Sequence, residues 1–142
     1  MDFDLTVEST RSEMLLTRVK VGMRRHAEAA TPWEDYSDLT VVARTAEGTV
    51  AGAAFGEAGR GWLHLSVVWV DEAHRGFGVG RKLVAAVEAE GHRQGCANAY
   101  LDSFSYQAPG FYEKLGYEIF GVLEDYPLGH QRFYMRKTLG PS

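Results

Sequence analysis

Apolar and polar residues alternate at Phe3, Leu5 and Val7, which predicts a strand at the head of the chain. Thr10 and Glu13 then stand three apart, the spacing of a capping box that satisfies the free N–H groups of a helix start. Leu15, Val19, Met23 and Ala27 follow at four-residue intervals, predicting a helix with one buried face. Thr31-Pro32 marks its end, because the residue before proline avoids helical geometry. Residues 39–45 and 49–55 flank Ala46-Glu47-Gly48 and read as a β-hairpin. Gly59-Arg60-Gly61 turns the chain into a strand over 62–70. The second half of that strand, Val67-Val68-Trp69-Val70, is apolar on both faces, which predicts a central strand covered on each side.

From residue 78 to about 94 the period becomes helical, with Val79, Leu83 and Val87 on one stripe and Gly95 as the stop. Residues 99–104 form a short strand. Pro109 can open a short helix through Leu115, ended by Gly116. The last strand pair is 117–123 and 132–138, joined by Asp125-Tyr126-Pro127-Leu128-Gly129-His130. The order β-α-β-β-β-α-β-α-β-β gives an α/β layout with a mixed sheet. At 142 residues, with no repeat or linker, it reads as one domain over 1–142.

Composition narrows the classes. A hydrophobic content of 45% with 12% aromatics supplies a packed core. The net charge of −4 argues against nucleic acid as a partner, since that needs clustered Lys and Arg against phosphate. The single cysteine, Cys96, excludes an intramolecular disulfide and reads as a buried thiol between a helix and a strand. No spaced His/Asp/Glu cluster implies a metal. The first residues lack the basic and apolar regions of a signal peptide, and no run approaches the ~20 apolar residues that span a bilayer. The expectation is a cytoplasmic protein with no membrane partner.

The chemistry concentrates in residues 70–81. Gly76, Gly78 and Gly80 alternate between a strand and a helix, baring backbone where a ligand must approach closely. The helix start offers unpaired N–H groups to an anion, and Arg75 and Arg81 can add charge-assisted hydrogen bonds. A Rossmann fingerprint fails, since Arg81 stands where the third glycine belongs. No Walker A sequence occurs. What fits is Arg75-x-x-Gly78-x-Gly80, and this resembles the acetyl-CoA motif of the GNAT acetyltransferase superfamily. Downstream, Ala108-x-x-x-Tyr112-x-x-x-Gly116-Tyr117 resembles that family's second signature, in the right order. The resemblance spans roughly residues 62–138.

The resemblance implies a mixed, mostly antiparallel sheet with splayed central strands flanked by helices. It implies acetyl-CoA as co-substrate and no metal. Its pyrophosphate would sit on Arg75, Gly76, Phe77, Gly78, Val79, Gly80 and Arg81, and its pantetheine arm against Val68, Trp69 and Val70, with Ser105 and Gln107 beside it. Val68 N–H would serve as oxyanion donor, and Tyr112 would protonate the departing thiolate. Two positions depart from the family: Glu72 replaces a frequent proline, and Ser105 a frequent asparagine. The base that deprotonates the acceptor is open among Glu34, Asp35, His64, Asp71 and His130. Trp33, Glu34, Asp125, Tyr126 and His130 are candidates for the acceptor pocket, where acid and aromatic groups can hold an ammonium. The expected reaction is direct acetyl transfer to a small primary amine in a ternary complex. A protein lysine or N-terminus is the alternative acceptor, and a non-catalytic acyl-CoA sensor the alternative class, against which Tyr112 weighs. A homodimer is compatible with a chain of this size.

Overall fold

The structure, a computed structural model, describes residues 1–141 in two compact units, Met1–Glu34 and Asp35–Ser142. In the first unit, helix α1 spans Glu13–Glu28. Its cap is Ser12, whose hydroxyl accepts from Leu15 N–H at 3.2 Å, so the helix starts two residues later than the Thr10 capping box predicts. Arg24 pairs with Glu28 at 3.0 Å and lies over the Trp33 ring at 4.9 Å. The face carrying Leu15, Val19 and Met23 is exposed rather than buried. The predicted strand at Phe3, Leu5 and Val7 is absent: the segment has no ladder partner, and its apolar side chains are exposed. Three alternating residues specify a face, but a strand forms only where a neighbouring edge pairs with it.

The second unit is a six-stranded sheet. Its strands are β1 (Ser37–Arg44), β2 (Val50–Gly59), β3 (Trp62–Val70), β4 (Asn98–Phe104), β5 (Glu118–Glu124) and β6 (Gln131–Thr138). They lie in the order β1-β2-β3-β4-β6-β5, antiparallel except for the β3–β4 pair. The β2–β3 hairpin closes on Arg60 (φ 56°) and Gly61 (φ 82°), the left-handed pair that matches strand twist. Helix α2 (Val79–Arg93) buries Leu83, Val84, Val87 and Gly91 among Leu63, Leu65, Leu101 and Met135. Gly91 permits the approach, since a Cβ there would meet Leu63 at 3.1 Å. Helix α3 (Pro109–Lys114) follows β4 and ends before Gly116 (φ 98°). Cys96 sits in the core. No helix among the described residues is long and apolar enough to cross a membrane.

The predicted covering of both faces of 67–70 does not hold, for a reason that locates the site. The parallel β3–β4 ladder pairs only Trp62, His64 and the residue between them with residues 98–100. A bulge at Ser66 then shifts the β2–β3 register, and Ser66 Oγ donates to Phe55 O at 3.0 Å. Beyond it the two parallel strands part. Val67 and Trp69 remain about half exposed, so one face of the run is not covered, and Val67 also borders the opening. On its other edge β3 is held tightly by β2. An alanine Cβ at Gly52 would stand 2.5 Å from Trp69 O and 3.2 Å from Leu83 Cδ1. Gly52→Ala should therefore cost about 1–3 kcal/mol through overpacking, read as a lower urea midpoint at unchanged slope.

Candidate functional site

The opening between β3 and β4 is a cavity of about 640 Å³. One wall is the second half of β3 (Ser66, Val67, Val68, Val70), and the end wall is the β3–α2 connection (His74, Arg75, Gly76, Gly78) with Val79, Gly80 and Arg81 of α2. The opposite wall is Asp102 and Ser103 of β4, then Gln107, Ala108, Phe111 and Tyr112.

Backbone direction makes the β3 wall chemically active. Asp71 N–H donates to Ala51 O at 2.8 Å, and groups alternate sides along an antiparallel strand. Val67 and Trp69 therefore spend their amides and carbonyls on β2, while Val68 and Val70 turn theirs toward the gap. Arg75 Nε donates to Val70 O at 3.1 Å, which braces the glycine loop on that strand.

The end wall is built for an anion. Gly76 (φ 86°) and Gly78 (φ 78°) adopt left-handed backbone, and Gly78 opens α2 with no side-chain cap. The first helical bond, Lys82 N–H to Gly78 O at 3.1 Å, leaves the amides of Val79, Gly80 and Arg81 ahead of it. A Cβ at Gly80 would press on Phe111 Cζ at 3.3 Å. Bare amides, a helix dipole and two guanidinium groups together can hold a diphosphate. The gap-facing edge of β3 can hold an extended polar arm.

Tyr112 packs edge-to-face on Phe111 (5.0 Å) and Tyr117 (6.1 Å). Burial pushes its phenol above the ordinary tyrosine value, and the Asp102 charge adds to the shift. No group among the described residues hydrogen-bonds its hydroxyl.

Of the residues expected at the cofactor, Val68, Val70, Arg75, Gly76, Gly78, Val79, Gly80, Arg81, Gln107 and Tyr112 share this cavity. Trp69 lies outside it, with its backbone facing β2. Phe77 lines a separate depression of about 380 Å³ beside β1. Ser105 accepts from Gln131 N–H at 3.0 Å and lies 3.5 Å from His130 Nδ1, joining β4 to the β5–β6 loop. Gln107 Oε1 accepts from Phe104 N–H at 3.0 Å.

Of the open base candidates in the second unit, Asp35, His64, Asp71 and His130 are not among the residues lining the cavity. Asp71 pairs with His74 at 3.2 Å, and His64 bonds Glu57 at 3.0 Å and stacks on Tyr100. Trp33 and Glu34 belong to the first unit. Asp125 (φ 54°) accepts from Gly129 N–H at 3.2 Å, and Tyr126 N–H donates to His130 O, so their loop closes on itself. Sequence reasoning missed Asp102, whose Oδ2 accepts from Arg132 Nε at 2.7 Å. The signal was a carboxylate inside a strand, next to Leu101 and between the aromatic positions Tyr100 and Phe104.

Residues 36–119 match the family model described as an acetyltransferase (GNAT) domain. The chain is 37% identical to a blasticidin-S acetyltransferase of Streptomyces morookaense, over 78% of this chain and 79% of the relative. It is 34% identical to an acetyltransferase of Agrobacterium fabrum, over 72% and 75%. A crystal structure of an acetyltransferase from Bacillus cereus superposes with a TM-score of 0.84 at 29% identity, covering 94% of this chain and 97% of that one.

Proposed function

The chain belongs to the GNAT acetyltransferase family, and from that premise we propose that it carries an acetyl group from acetyl-CoA to a small primary amine by direct transfer in a ternary complex. The observation that carries the reading is the single cavity joining an anion-binding helix start to an unpartnered phenol along the open edge of β3. Its residues fit acetyl-CoA: the glycine loop with Arg75 and Arg81 for the pyrophosphate, and the Val68 and Val70 backbone for the pantetheine arm. That co-substrate, when bound, supplies an activated acetyl thioester.

The protein's own groups then have distinct tasks. Val68 N–H faces the gap and stabilises negative charge developing on the acetyl oxygen, a contribution of about 10²–10³ in rate for one donor. Tyr112 gives its proton to the departing sulfur. A raised phenol pKa keeps that proton in place at neutral pH. The name of the Streptomyces relative supports a small-molecule acceptor.

Thiol release from acetyl-CoA across amines, amino acids, aminoglycosides and peptides tests the proposal. We expect saturable turnover with a small cationic amine and intersecting double-reciprocal lines. Parallel lines would rule out the ternary complex. Tight CoA binding without turnover across the panel would leave a binding module instead.

A further inference from the structure

We propose that Asp102 receives the acceptor: its carboxylate holds the substrate ammonium at the mouth of the cavity and takes the proton that must leave before nitrogen can attack. The inference rests on the proposed amine acetylation and names the residue that selects a cationic acceptor for it.

Asp102 is the one carboxylate among the residues lining the cavity. The arginines of the lining, Arg75 and Arg81, both belong to the β3–α2 side, where an anion docks. Charge along the cleft is thus divided, with positive groups at the phosphate end and a negative group on β4. Asp102 also lies just past the fork, since the β3–β4 ladder ends at Tyr100, two residues earlier. Continuing that parallel register places Asp102 across the gap from the bulged Ser66.

The carboxylate is held from one side only. Arg132 engages Oδ2 at 2.7 Å, and no group among the described residues is bonded to Oδ1. Arg132 is itself fixed, with its guanidinium 5.2 Å from the Phe104 ring, 5.0 Å from Tyr126 and 5.3 Å from Tyr134. Arg132 is therefore a positioning residue, and Asp102 keeps an accessible edge at 22% side-chain exposure. Tyr100 on the same strand, Tyr112 on α3, and Arg132 and Tyr134 on β6 are the other ionisable groups around it.

The chemistry needs such a group. A lysine-like amine with a pKa near ~10.4 is neutral in roughly one molecule in 2,500 at pH 7. In the proposed step the nitrogen lone pair forms the amide C–N bond as the C–S bond breaks. Nitrogen loses two protons. One goes to Asp102 and out to solvent along its exposed edge; the other replaces the proton that Tyr112 gives to the leaving sulfur.

The test compares Asp102→Asn with wild type on two nucleophiles: the most active primary amine of the panel, and O-methylhydroxylamine, which is uncharged at pH 7. Amine kcat/KM should fall at least about thirtyfold, and O-methylhydroxylamine turnover far less, so that their ratio shifts about tenfold or more. Calorimetric affinity of the amine for the CoA-bound enzyme should weaken about tenfold, with CoA affinity within about threefold of wild type. Asp102→Glu should recover part of the amine rate. Equal losses on both nucleophiles would make Asp102 a structural pin for Arg132 and overturn the assignment, as would an unchanged amine rate. Wild-type turnover of O-methylhydroxylamine but of no amine would overturn the amine reading itself, a failure visible before any variant is made.

Discussion

Replacing Tyr112 with phenylalanine should lower kcat about 10²–10³-fold while the affinity for CoA stays within about threefold of wild type. The substitution is close to isosteric. It keeps the edge-to-face contacts with Phe111 and Tyr117 and removes only the hydroxyl. That hydroxyl has no protein partner among the described residues, so its loss strands no donor or acceptor and the fold should be spared. What remains is a departing sulfur with no acid beside it. A free thiol has a pKa near ~8.5, so a thiolate leaves tolerably unaided, and this caps the expected loss near the middle of the general-acid range.

The pH dependence has a definite sign. Burial, then the Asp102 charge, raises the phenol's pKa, so its protonated, active form persists above the ordinary tyrosine value near ~10. The alkaline limb of wild-type kcat that belongs to Tyr112 should lie above that value and be missing from the phenylalanine enzyme. Wild-type turnover in Tyr112→Phe, with the same pH profile, would remove the acid role.

Much of the sheet was legible because its boundaries are written in turns. Gly48, Arg60-Gly61, Gly95 and Gly116 carry left-handed backbone where the chain reverses or a helix stops, and these positions can be read without knowing what packs on them. The glycine loop was legible for the same reason. The splay of β3 from β4 was not. Val67–Val70 looks like any doubly covered strand, because an apolar wall around an opening and an apolar sandwich have the same composition. What distinguishes them is the Ser66 bulge, whose extra residue leaves no mark in the hydrophobic pattern. Trp69 meets a related limit: composition cannot say which amides a ladder uses, and this residue is not among those lining the cavity. Asp102 stayed hidden because its meaning comes from Arg132, thirty residues away in sequence and adjacent only through the β4–β6 pairing.

Glu88→Ala should lower stability by about 2–4 kcal/mol. The Glu88 carboxylate, on the inner face of α2, accepts from the Tyr117 hydroxyl at 2.8 Å and from Lys137 Nζ at 3.0 and 3.1 Å. Three segments meet there: α2, the turn that leads into β5 and the end of β6. Tyr117 N–H also donates to Tyr112 O at 3.0 Å, so the same corner seats the helix that carries the proposed acid. Burial and the Glu88 charge hold the Tyr117 phenol far above its ordinary value, so it remains a neutral donor at working pH. Removing the carboxylate leaves that donor and an ammonium without their acceptor. The cost is set below the top of the range for broken buried pairs because the Lys137 side chain is 26% exposed and can turn toward water, while that of Glu88 is only 14% exposed. For a unit of about 100 residues the melting temperature should fall by roughly 10–20 °C. Most of that loss should come from the stranded cation rather than from lost packing. Glu88→Ala/Lys137→Met should then melt higher than Glu88→Ala alone, because it removes the unpaired charge and leaves an apolar stem over the Tyr117 ring, which Lys137 Nζ now faces at 5.5 Å. A double variant no more stable than the single one would place the cost in packing, and a single variant melting with wild type would show that the corner is held by α2 burial without the carboxylate.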